Sequence, residues 1–487
     1  MKPHFTQPLC LALLLTATAA ASDDYRDDIG YKTLESHNSL ISKGANLTVG
    51  QVEAVFGQAY MPDRNASEFS GKHFWPTGIY DASGHATMVG DLFYGKDGIA
   101  PNTPNIKVYD STGFLTTNVL RVGKKGAPIP LNVSVLNNSW VAAFTTDSAN
   151  VEAVRRLDWM INRDDVLVVS SVGNGAGSDY PKLLATSYNG MAVGVLGFNG
   201  SSDGPINFDS RGPRVKPDLV VPVTTTSAAA GIVSGAAALI RSEAKARHMN
   251  VSELTTKAIL MAGANRPDDW ERGAAGTFDD QTVPLDYRYG AGGLRVDNSF
   301  DILVAGKRPT GGLNTGWDSG IAHKKNHVYG FRIANAADEL DDDANDFTAV
   351  LAWNRAVKRS PRGTYSTSLA NLELSLMVKN GTRWNRVSRS DSSYDNIETI
   401  TLSDLAPGAY RLTVRGDRAE PYSLAWFTSQ HEDHHGGGDD NSGPGGGEVQ
   451  LSSMMSGGVT PMAVPEPTLF ALLLPAITIL ARRRSTR

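Results

Sequence analysis

One segment of the sequence, TTTSAAAGIVSGAAALI at residues 224–240, limits the possible folds more than any other. Its Ala, Gly, Ile and Val residues predict a helix that lacks a polar face and is therefore packed in the interior of a domain. Ser227 stands at the predicted start of this helix. Its hydroxyl could cap the helix by accepting a hydrogen bond from a free N–H group, or it could be a nucleophile held at a helix N-terminus. The segment alone is compatible with both interpretations.

Three upstream segments end in residues that could assist a nucleophile. The segment 45–56 predicts a buried strand that ends at Glu53, and the segment 166–177 predicts a strand followed by a turn at Asn174. His85 precedes a segment that is predicted to be helical. Taken singly, each residue would be assigned to structure. Together they supply a base, an anion that orients the base, and a donor for an oxyanion, which is what a serine nucleophile needs.

The chain order of Glu53, His85, Asn174 and Ser227 resembles that of the acid, base, oxyanion donor and nucleophile in the subtilisin-like serine proteases. The segments that carry the resemblance are GHATMVG (84–90), GIAP (98–101), VLNNSW (135–140), SVGNGAG (171–177), INFDSRGPRVKPDLVVPV (206–223) and TSAAAGIVSG (226–235). The resemblance spans about residues 30–300. It implies an α/β fold, a subtilisin-like three-layer domain with a mostly parallel central sheet.

The resemblance also implies a function, that of a serine endopeptidase that hydrolyses peptide bonds in a protein or peptide substrate. It implies that Ser227 attacks the carbonyl carbon and that His85 is the general base. It further implies that Glu53 orients His85, that Asn174 binds the oxyanion and that Ser139 contacts the substrate. This chemistry requires no cofactor.

The sequence departs from the family pattern around the predicted site. Glu53 stands where the family has Asp, so the charge is retained on a side chain longer by one methylene group. Thr225 and Gly231 replace a Gly and a Pro, and Thr in place of Gly predicts a strained or narrowed site. SWVA at 139–142 replaces Ser-Leu-Gly-Gly, which predicts an altered substrate cleft. These departures leave an alternative function, a catalytically weak or inactive subtilisin-like surface protein that acts as a binding module.

The hydropathy pattern changes after residue 305. Alternating apolar and polar residues, separated by Gly and Pro turns, predict an antiparallel β-sandwich similar to the jelly-roll domains of several secreted subtilisin-like proteins. The predicted strands are 346–353, 369–378, 398–405, 408–416 and 421–427. The acidic loop 338–346 could bind a structural Ca²⁺ ion or could simply be solvated, and it lacks the EF-hand spacing.

The two ends of the sequence predict export. Residues 1–21 have the basic start, apolar core and small residues of a signal peptide. Pro-Glu-Pro at 465–467, the apolar run after it and the arginines at 482–484 resemble the PEP-CTERM sorting signal of Gram-negative bacteria. That resemblance implies processing by an exosortase-type enzyme, transient inner-membrane anchoring, and a final location at the cell surface or in the extracellular matrix. A simple C-terminal anchor is the alternative, although the run of about 14 residues is shorter than the roughly 20 of an independent membrane helix.

The predicted domain organisation follows from these patterns. It comprises a signal peptide (1–21), a peptidase domain (22–305), a β-sandwich (306–430), a Gly-rich linker (431–462) and a sorting segment (463–487). The His and acidic residues of the linker could hold a metal loosely, or the linker could be a plain tether. The expected processing partners are signal peptidase and an exosortase-type enzyme. The net charge of −5, with both signs interspersed, predicts no nucleic-acid partner.

Overall fold

The computed structural model describes residues 25–177, 180, 182–197, 200–276, 280–334 and 345–430. The predicted signal peptide, linker and sorting segment lie outside these residues, as does most of the acidic loop proposed for Ca²⁺. Within the described ranges, no helix combines the length and the apolar character that a membrane span requires.

The first part of the chain alternates strands and helices. The helices are α1 (Tyr25–Asp28), α2 (Tyr31–His37), α3 (Gly84–Tyr94), α4 (Ser111–Gly113), α5 (Asp147–Asp164), α6 (Thr226–Ala246), α7 (Glu253–Ala262) and α8 (Val296–Ala305), with a 3₁₀ turn at Ser67–Phe69 and a π turn at Phe114–Asn118. The strands are β1 (Thr48–Glu53), β2 (Ala59–Met61), β3 (His73–Pro76), β4 (Asp81–Ala82), β5 (Asn105–Asp110), β6 (Val135–Asn138), β7 (Leu167–Ser171), β8 (Met191–Val195), β9 (Gly204–Ile206), β10 (Arg214–Lys216) and β11 (Leu219–Val221).

Seven of these strands form one parallel sheet in the order β11-β8-β7-β6-β1-β5-β3. Helix α6 packs on one face, where Val233 joins the cluster of Val49 and Val135. Helix α5 packs on the other face, where Leu157 joins the cluster of Val168. A sheet covered on both faces explains why its strands read as apolar runs. The predicted three-layer α/β domain is confirmed.

After residue 305 the strands are antiparallel. They are β12 (Gly316–Ala322), β13 (His327–Ile333), β14 (Asn345–Trp353), β15 (Ala356–Arg359), β16 (Tyr365–Ser368), β17 (Leu372–Asn380), β18 (Arg383–Ser390), β19 (Ile397–Leu402), β20 (Gly408–Gly416) and β21 (Glu420–Gln430). Two four-stranded sheets, β12-β21-β14-β19 and β13-β20-β17-β18, accompany the β15–β16 hairpin. With that hairpin set aside, this strand order is that of a jelly roll. The predicted antiparallel sandwich is confirmed.

The sandwich packs directly against the parallel-sheet domain. The sheet that contains β12 and β14 contributes Trp317 and Val350 to the same apolar cluster as Ile259 of α7. Buried ion pairs reinforce this contact, because the guanidinium of Arg355 lies 2.6 Å from Asp158 Oδ2 on α5. The two parts of the chain therefore share one core along α7 and α8.

Candidate active site

The predicted acid and base meet at the carboxyl edge of the sheet. Glu53 is the last residue of β1, and His85 is the second residue of α3. Nδ1 of His85 lies 2.8 Å from Oε2 of Glu53. An ionised carboxylate can only accept, so Nδ1 carries the proton and Nε2 is left as the basic nitrogen. The carboxylate is buried, whereas 44% of the His85 side chain is exposed.

The electrostatics of this pair favour a protonated imidazole. Partial burial lowers the pKa of His85, but the hydrogen bond and the negative charge of Glu53 raise it, and the net shift is upward. A carboxylate at this position can therefore stabilise the imidazolium that forms when His85 takes up a proton.

A second polar residue of β1, Gln51, is hydrogen-bonded to the carboxylate of Glu53. Gln51 lies two residues before Glu53, so both side chains point to the same face of the sheet. Nε2 of Gln51 donates to Oε1 of Glu53 at 2.7 Å and to the carbonyl oxygen of Ala86 at 2.9 Å. Its Oε1 accepts from the hydroxyl of Tyr94. Sequence reasoning missed Gln51 and Tyr94, although a Gln in the middle of an apolar strand was the available signal.

The start of α6 excludes one of the two interpretations of Ser227, that of a helix cap. Thr225 is the N-cap, and its hydroxyl accepts from the backbone N–H of Ala228 at 3.3 Å. Ser227 is therefore the second residue inside the helix, and its hydroxyl does not cap. Thr225 has φ −136° and ψ 145°, which is extended backbone that any residue adopts. The expectation of strain at Thr225 is wrong, because this position does not require the left-handed conformation that favours Gly.

The hydroxyl of Ser227 is directed to Ser139, the residue that follows β6. It donates to the carbonyl oxygen of Ser139 at 3.3 Å, and the hydroxyl of Ser139 donates to the carbonyl oxygen of Ser227 at 3.0 Å. In the part of the chain that the structure describes, no hydrogen bond joins His85 to Ser227. Catalytic hydrogen bonds are often unformed in proteins without bound substrate, so this geometry is compatible with a resting site.

Helices α3 and α6 bring His85 and Ser227 to the same level. A Cβ atom added to Gly231 would lie 3.1 Å from the carbonyl oxygen of Val89, and one added to Gly235 would lie 3.0 Å from that of Phe93. The two helices therefore run in the same direction in close contact. If this register is continued by one turn toward the N-terminus of each helix, Ser227 lies opposite His85.

Asn174 is anchored beside Ser227, through hydrogen bonds to the preceding residue. Its Oδ1 accepts from the backbone N–H of Thr226 at 2.9 Å and from the Thr226 hydroxyl at 3.0 Å. Because both donors take the carbonyl side of the amide, the Nδ2 group is the part that can donate to another acceptor. An amide N–H group and the free N–H groups at a helix N-terminus are the donors that an oxyanion site uses.

The segment 139–142 differs from the expected substrate strand. The side chain of Ser139 is buried, and Oδ1 of Asn137 also lies 3.0 Å from its hydroxyl oxygen, so this acceptor and the carbonyl oxygen of Ser227 compete for the single hydroxyl proton. Trp140 is buried as well, whereas 45% of Val141 is exposed. The hydroxyl of Ser139 therefore faces the start of α6, and Val141 is the apolar side chain that this segment presents to solvent.

In the ranges that the structure covers, no group of three or more His, Cys, Asp or Glu side chains is arranged to hold a metal ion.

Residues 53–292 match the sequence pattern that defines the subtilase family. No curated protein sequence matches the chain. Many solved structures resemble it, and three serve as examples. The prenylagaramide maturation protease PagA is 19% identical, with a TM-score of 0.37, over 56% of this chain and 98% of that chain. Proteases from Pseudoalteromonas arctica are 14% identical, with a TM-score of 0.36, over 54% of this chain and 91% of theirs. MycP1 from Mycobacterium smegmatis is 15% identical, with a TM-score of 0.36, over 56% of this chain and 83% of its own.

Proposed function

We propose that residues 53–292, which form a subtilase-family domain, act as a serine endopeptidase on protein or peptide substrates. One observation carries the proposal, namely the hydrogen bond between the buried carboxylate of Glu53 and Nδ1 of His85. This bond fixes the imidazole tautomer in which Nε2 is the base. Ser227, at the N-terminus of the helix that packs beside His85, is the side chain that this base would activate.

The proposed reaction begins with a rotation of the Ser227 hydroxyl away from the carbonyl oxygen of Ser139 and toward Nε2 of His85. His85 takes the hydroxyl proton while Oγ attacks the substrate carbonyl carbon. The resulting oxyanion receives hydrogen bonds from Nδ2 of Asn174 and from the N–H of Ser227. His85 then protonates the leaving amine. In the second half, His85 takes a proton from a water molecule whose oxygen attacks the acyl carbon, and it returns the proton to Oγ of Ser227 as the ester bond breaks. Glu53 stabilises the imidazolium in both halves of the reaction.

Labelling with a fluorophosphonate probe tests this proposal. We expect the purified chain to be labelled, the Ser227→Ala variant to be unlabelled, and Ser36→Ala, which changes an exposed serine of α2, to be labelled like the parent. Labelling that persists in Ser227→Ala, or a parent that is not labelled, would refute the peptidase function.

A second function is favoured by one specific observation, the hydrogen bond from the Ser227 hydroxyl to the carbonyl oxygen of Ser139. If that hydroxyl does not rotate toward His85, the chain is a catalytically weak or inactive scaffold that acts as a binding module at the cell surface. A folded parent that resists the probe and hydrolyses no peptide would support this function.

We also propose that the chain is exported and sorted to the surface or the matrix of a Gram-negative bacterium. The signal-peptide pattern at 1–21 and the Pro-Glu-Pro segment with its arginine cluster support this. N-terminal sequencing of the secreted protein should give Ser22 as the first residue, and replacing Pro-Glu-Pro by Ala-Ala-Ala should retain the protein in the inner membrane. An unprocessed N-terminus, or unchanged release of the Ala-Ala-Ala variant, would contradict this route.

A further inference from the structure

We propose that Gln51, held by Tyr94, is a positioning residue that fixes the carboxylate of Glu53 against His85. Its consequence for catalysis rests on the proposed peptidase function, whereas its consequence for His85 does not. The proposal depends on a chain of four side chains that runs from Tyr94 through Gln51 and Glu53 to His85, of which the first three are buried.

The directions of the hydrogen bonds in this chain are fixed by chemistry. The carboxylate of Glu53 and the carbonyl group of Ala86 can only accept, so the NH₂ group of Gln51 must face both of them. The amide oxygen then faces Tyr94, whose hydroxyl must donate. Burial raises the pKa of Tyr94 well above its ordinary value, so this donor stays protonated. The nitrogen of the Gln51 amide is therefore a donor and its oxygen an acceptor, and a flip of the amide group cannot exchange these two roles.

The amide of Gln51 joins the two elements that carry the acid and the base. Its donation to Glu53 is made within β1, and its donation to the carbonyl oxygen of Ala86 reaches the first turn of α3, one residue after His85. A single side chain thus sets both the carboxylate and the backbone beside the imidazole. A buried amide in this position would be costly if it were not fully bonded, which supports a specific role.

The extra methylene group of Glu53 gives a reason for this support. A glutamate has one more rotatable bond than an aspartate, and ordering it costs conformational entropy. Oε2 of Glu53 bonds to His85, and Oε1 bonds to Gln51, so the two bonds together restrict the last rotations of the side chain. Room for the Tyr94 hydroxyl is provided by Gly90, where an added Cβ atom would lie only 2.7 Å from that oxygen.

Two variants and a matched control test the proposal. Gln51→Met removes the donors and keeps the length of the side chain, and Tyr94→Phe removes only the hydroxyl that holds Gln51. Tyr109→Phe is the control, because Tyr109 is another buried tyrosine, located on β5 in the cluster on the face of the sheet opposite to Gln51. All variants are made in the full chain, and the thermal unfolding of each shows whether it is folded.

The first measurement is the NMR titration of the His85 imidazole, whose resonance is assigned by its loss in His85→Gln. Glu53 is the charged group that raises the pKa of His85, against the lowering effect of burial. We expect a lower pKa in Gln51→Met, a smaller decrease in Tyr94→Phe, and the parent value in Tyr109→Phe. A folded Gln51→Met with the parent value would overturn the proposal. Should Gln51→Met fail to fold, the same test on Tyr94→Phe decides.

The second measurement is the steady-state hydrolysis of a peptide substrate as a function of pH. We expect Gln51→Met to lower kcat by roughly 10- to 100-fold, the range for loss of a hydrogen bond to a charged group, with little change in KM. The acid limb of its kcat/KM profile should move to lower pH. An equal decrease in Tyr109→Phe would mean that the effect is only structural. A parent without Ser227-dependent turnover would refute the peptidase function, while the titration would still decide the role of Gln51.

Discussion

At the scale of single residues, the pair of Glu53 and His85 determines how the activity should depend on pH. The pKa of His85 is shifted upward, chiefly because Glu53 outweighs the effect of burial, and the base must be neutral to accept a proton. The acid limb of kcat/KM should therefore have its midpoint above 6.5, the ordinary value for histidine, with activity lost as the pH falls through that midpoint.

Glu53→Gln tests this assignment. Without the negative charge, the imidazolium loses its stabilisation, and we expect kcat to fall by about 10⁴-fold, the magnitude that neutralising the carboxylate of a serine-protease triad produces. The acid limb should move to lower pH, because the raising effect on the pKa of His85 is gone. Glu53→Asp keeps the charge but shortens the reach to His85, so an intermediate kcat is expected. Unchanged hydrolysis and pH dependence in Glu53→Gln would exclude Glu53 as the orienting acid.

The site residues that could be predicted from the sequence are those that follow the order of acid, base and nucleophile along the chain. Glu53 and His85 could be chosen before any contact was known, and they are in contact. Gln51 and Tyr94 are 43 residues apart and meet only because α3 folds over β1, so no local pattern joined them. The strain at Thr225 was expected because the family pattern has Gly at this position. In this chain the backbone at Thr225 is extended, so no strain arises.

At the scale of elements, the close contact between α3 and α6 should set the alignment of His85 and Ser227, the proposed base and nucleophile. A methyl group in Gly235→Ala would lie 2.7 Å from Cβ of Ile99 and 3.0 Å from the carbonyl oxygen of Phe93. The helices must then separate, and we expect the free energy of unfolding to decrease by about 1–3 kcal/mol, as is usual for overpacking. Since His85 lies on the same helix as Phe93, about two turns before it, kcat should also decrease.

Two other glycines make this prediction specific. Gly231→Ala has a milder contact, 3.1 Å from the carbonyl oxygen of Val89, so its effects should be smaller but of the same sign. Gly330→Ala, on β13, has nothing within 4 Å of the added methyl group and should leave kcat unchanged. Unfolding in urea and peptide hydrolysis measure both effects. Parent-like stability and kcat in Gly235→Ala would show that the two helices do not set the geometry of the site.

The elements themselves were predictable where their patterns were strong. From Ala229 to Ile240, helix α6 consists almost entirely of small or apolar residues and is buried without interruption, so this segment could form little else. Strand β18, with the sequence RWNRVSRS, is a polar edge strand with half of its residues exposed, and its pattern does not distinguish a strand from a loop. Edge strands of this kind are defined by the neighbour to which they bond.

At the scale of the whole molecule, Arg355 should be the main electrostatic link between the sandwich and the α/β domain. Its guanidinium is buried and pairs with Asp158 at 2.6 Å and with Asp209 at 2.8 Å. Arg355→Met leaves both carboxylates without this partner, so we expect the free energy of unfolding to decrease by about 3–5 kcal/mol. Thermal or urea unfolding measures the change. Lys358→Met, which removes an exposed charge from β15, is the matched control and should be neutral. A loss no larger than that of the control would contradict the link.

The last prediction concerns the sandwich as a whole. Every residue of α7 from Glu253 to Ala262 is buried, and the sheet that contains β14 and β21 covers this helix. A chain that ends at residue 305 would expose the apolar side of α7 and would lose Trp317, whose indole N–H donates to the carbonyl oxygen of Leu303 at 3.2 Å. Large exposed apolar patches promote aggregation, so the truncated chain should aggregate and should lose labelling by the fluorophosphonate probe.

Size-exclusion chromatography of the truncated and the full chain, followed by labelling, checks this expectation. Supplying residues 306–430 as a separate chain should restore part of the soluble, labelled fraction if the shared core is what the truncated chain lacks. A truncated chain that remains monomeric and is labelled at the parent rate would show that the sandwich is a separable binding module. Because α7 is buried along its full length, we expect the sandwich instead to be a structural part of the peptidase domain. Its loss should then inactivate Ser227 although no residue of the site is altered.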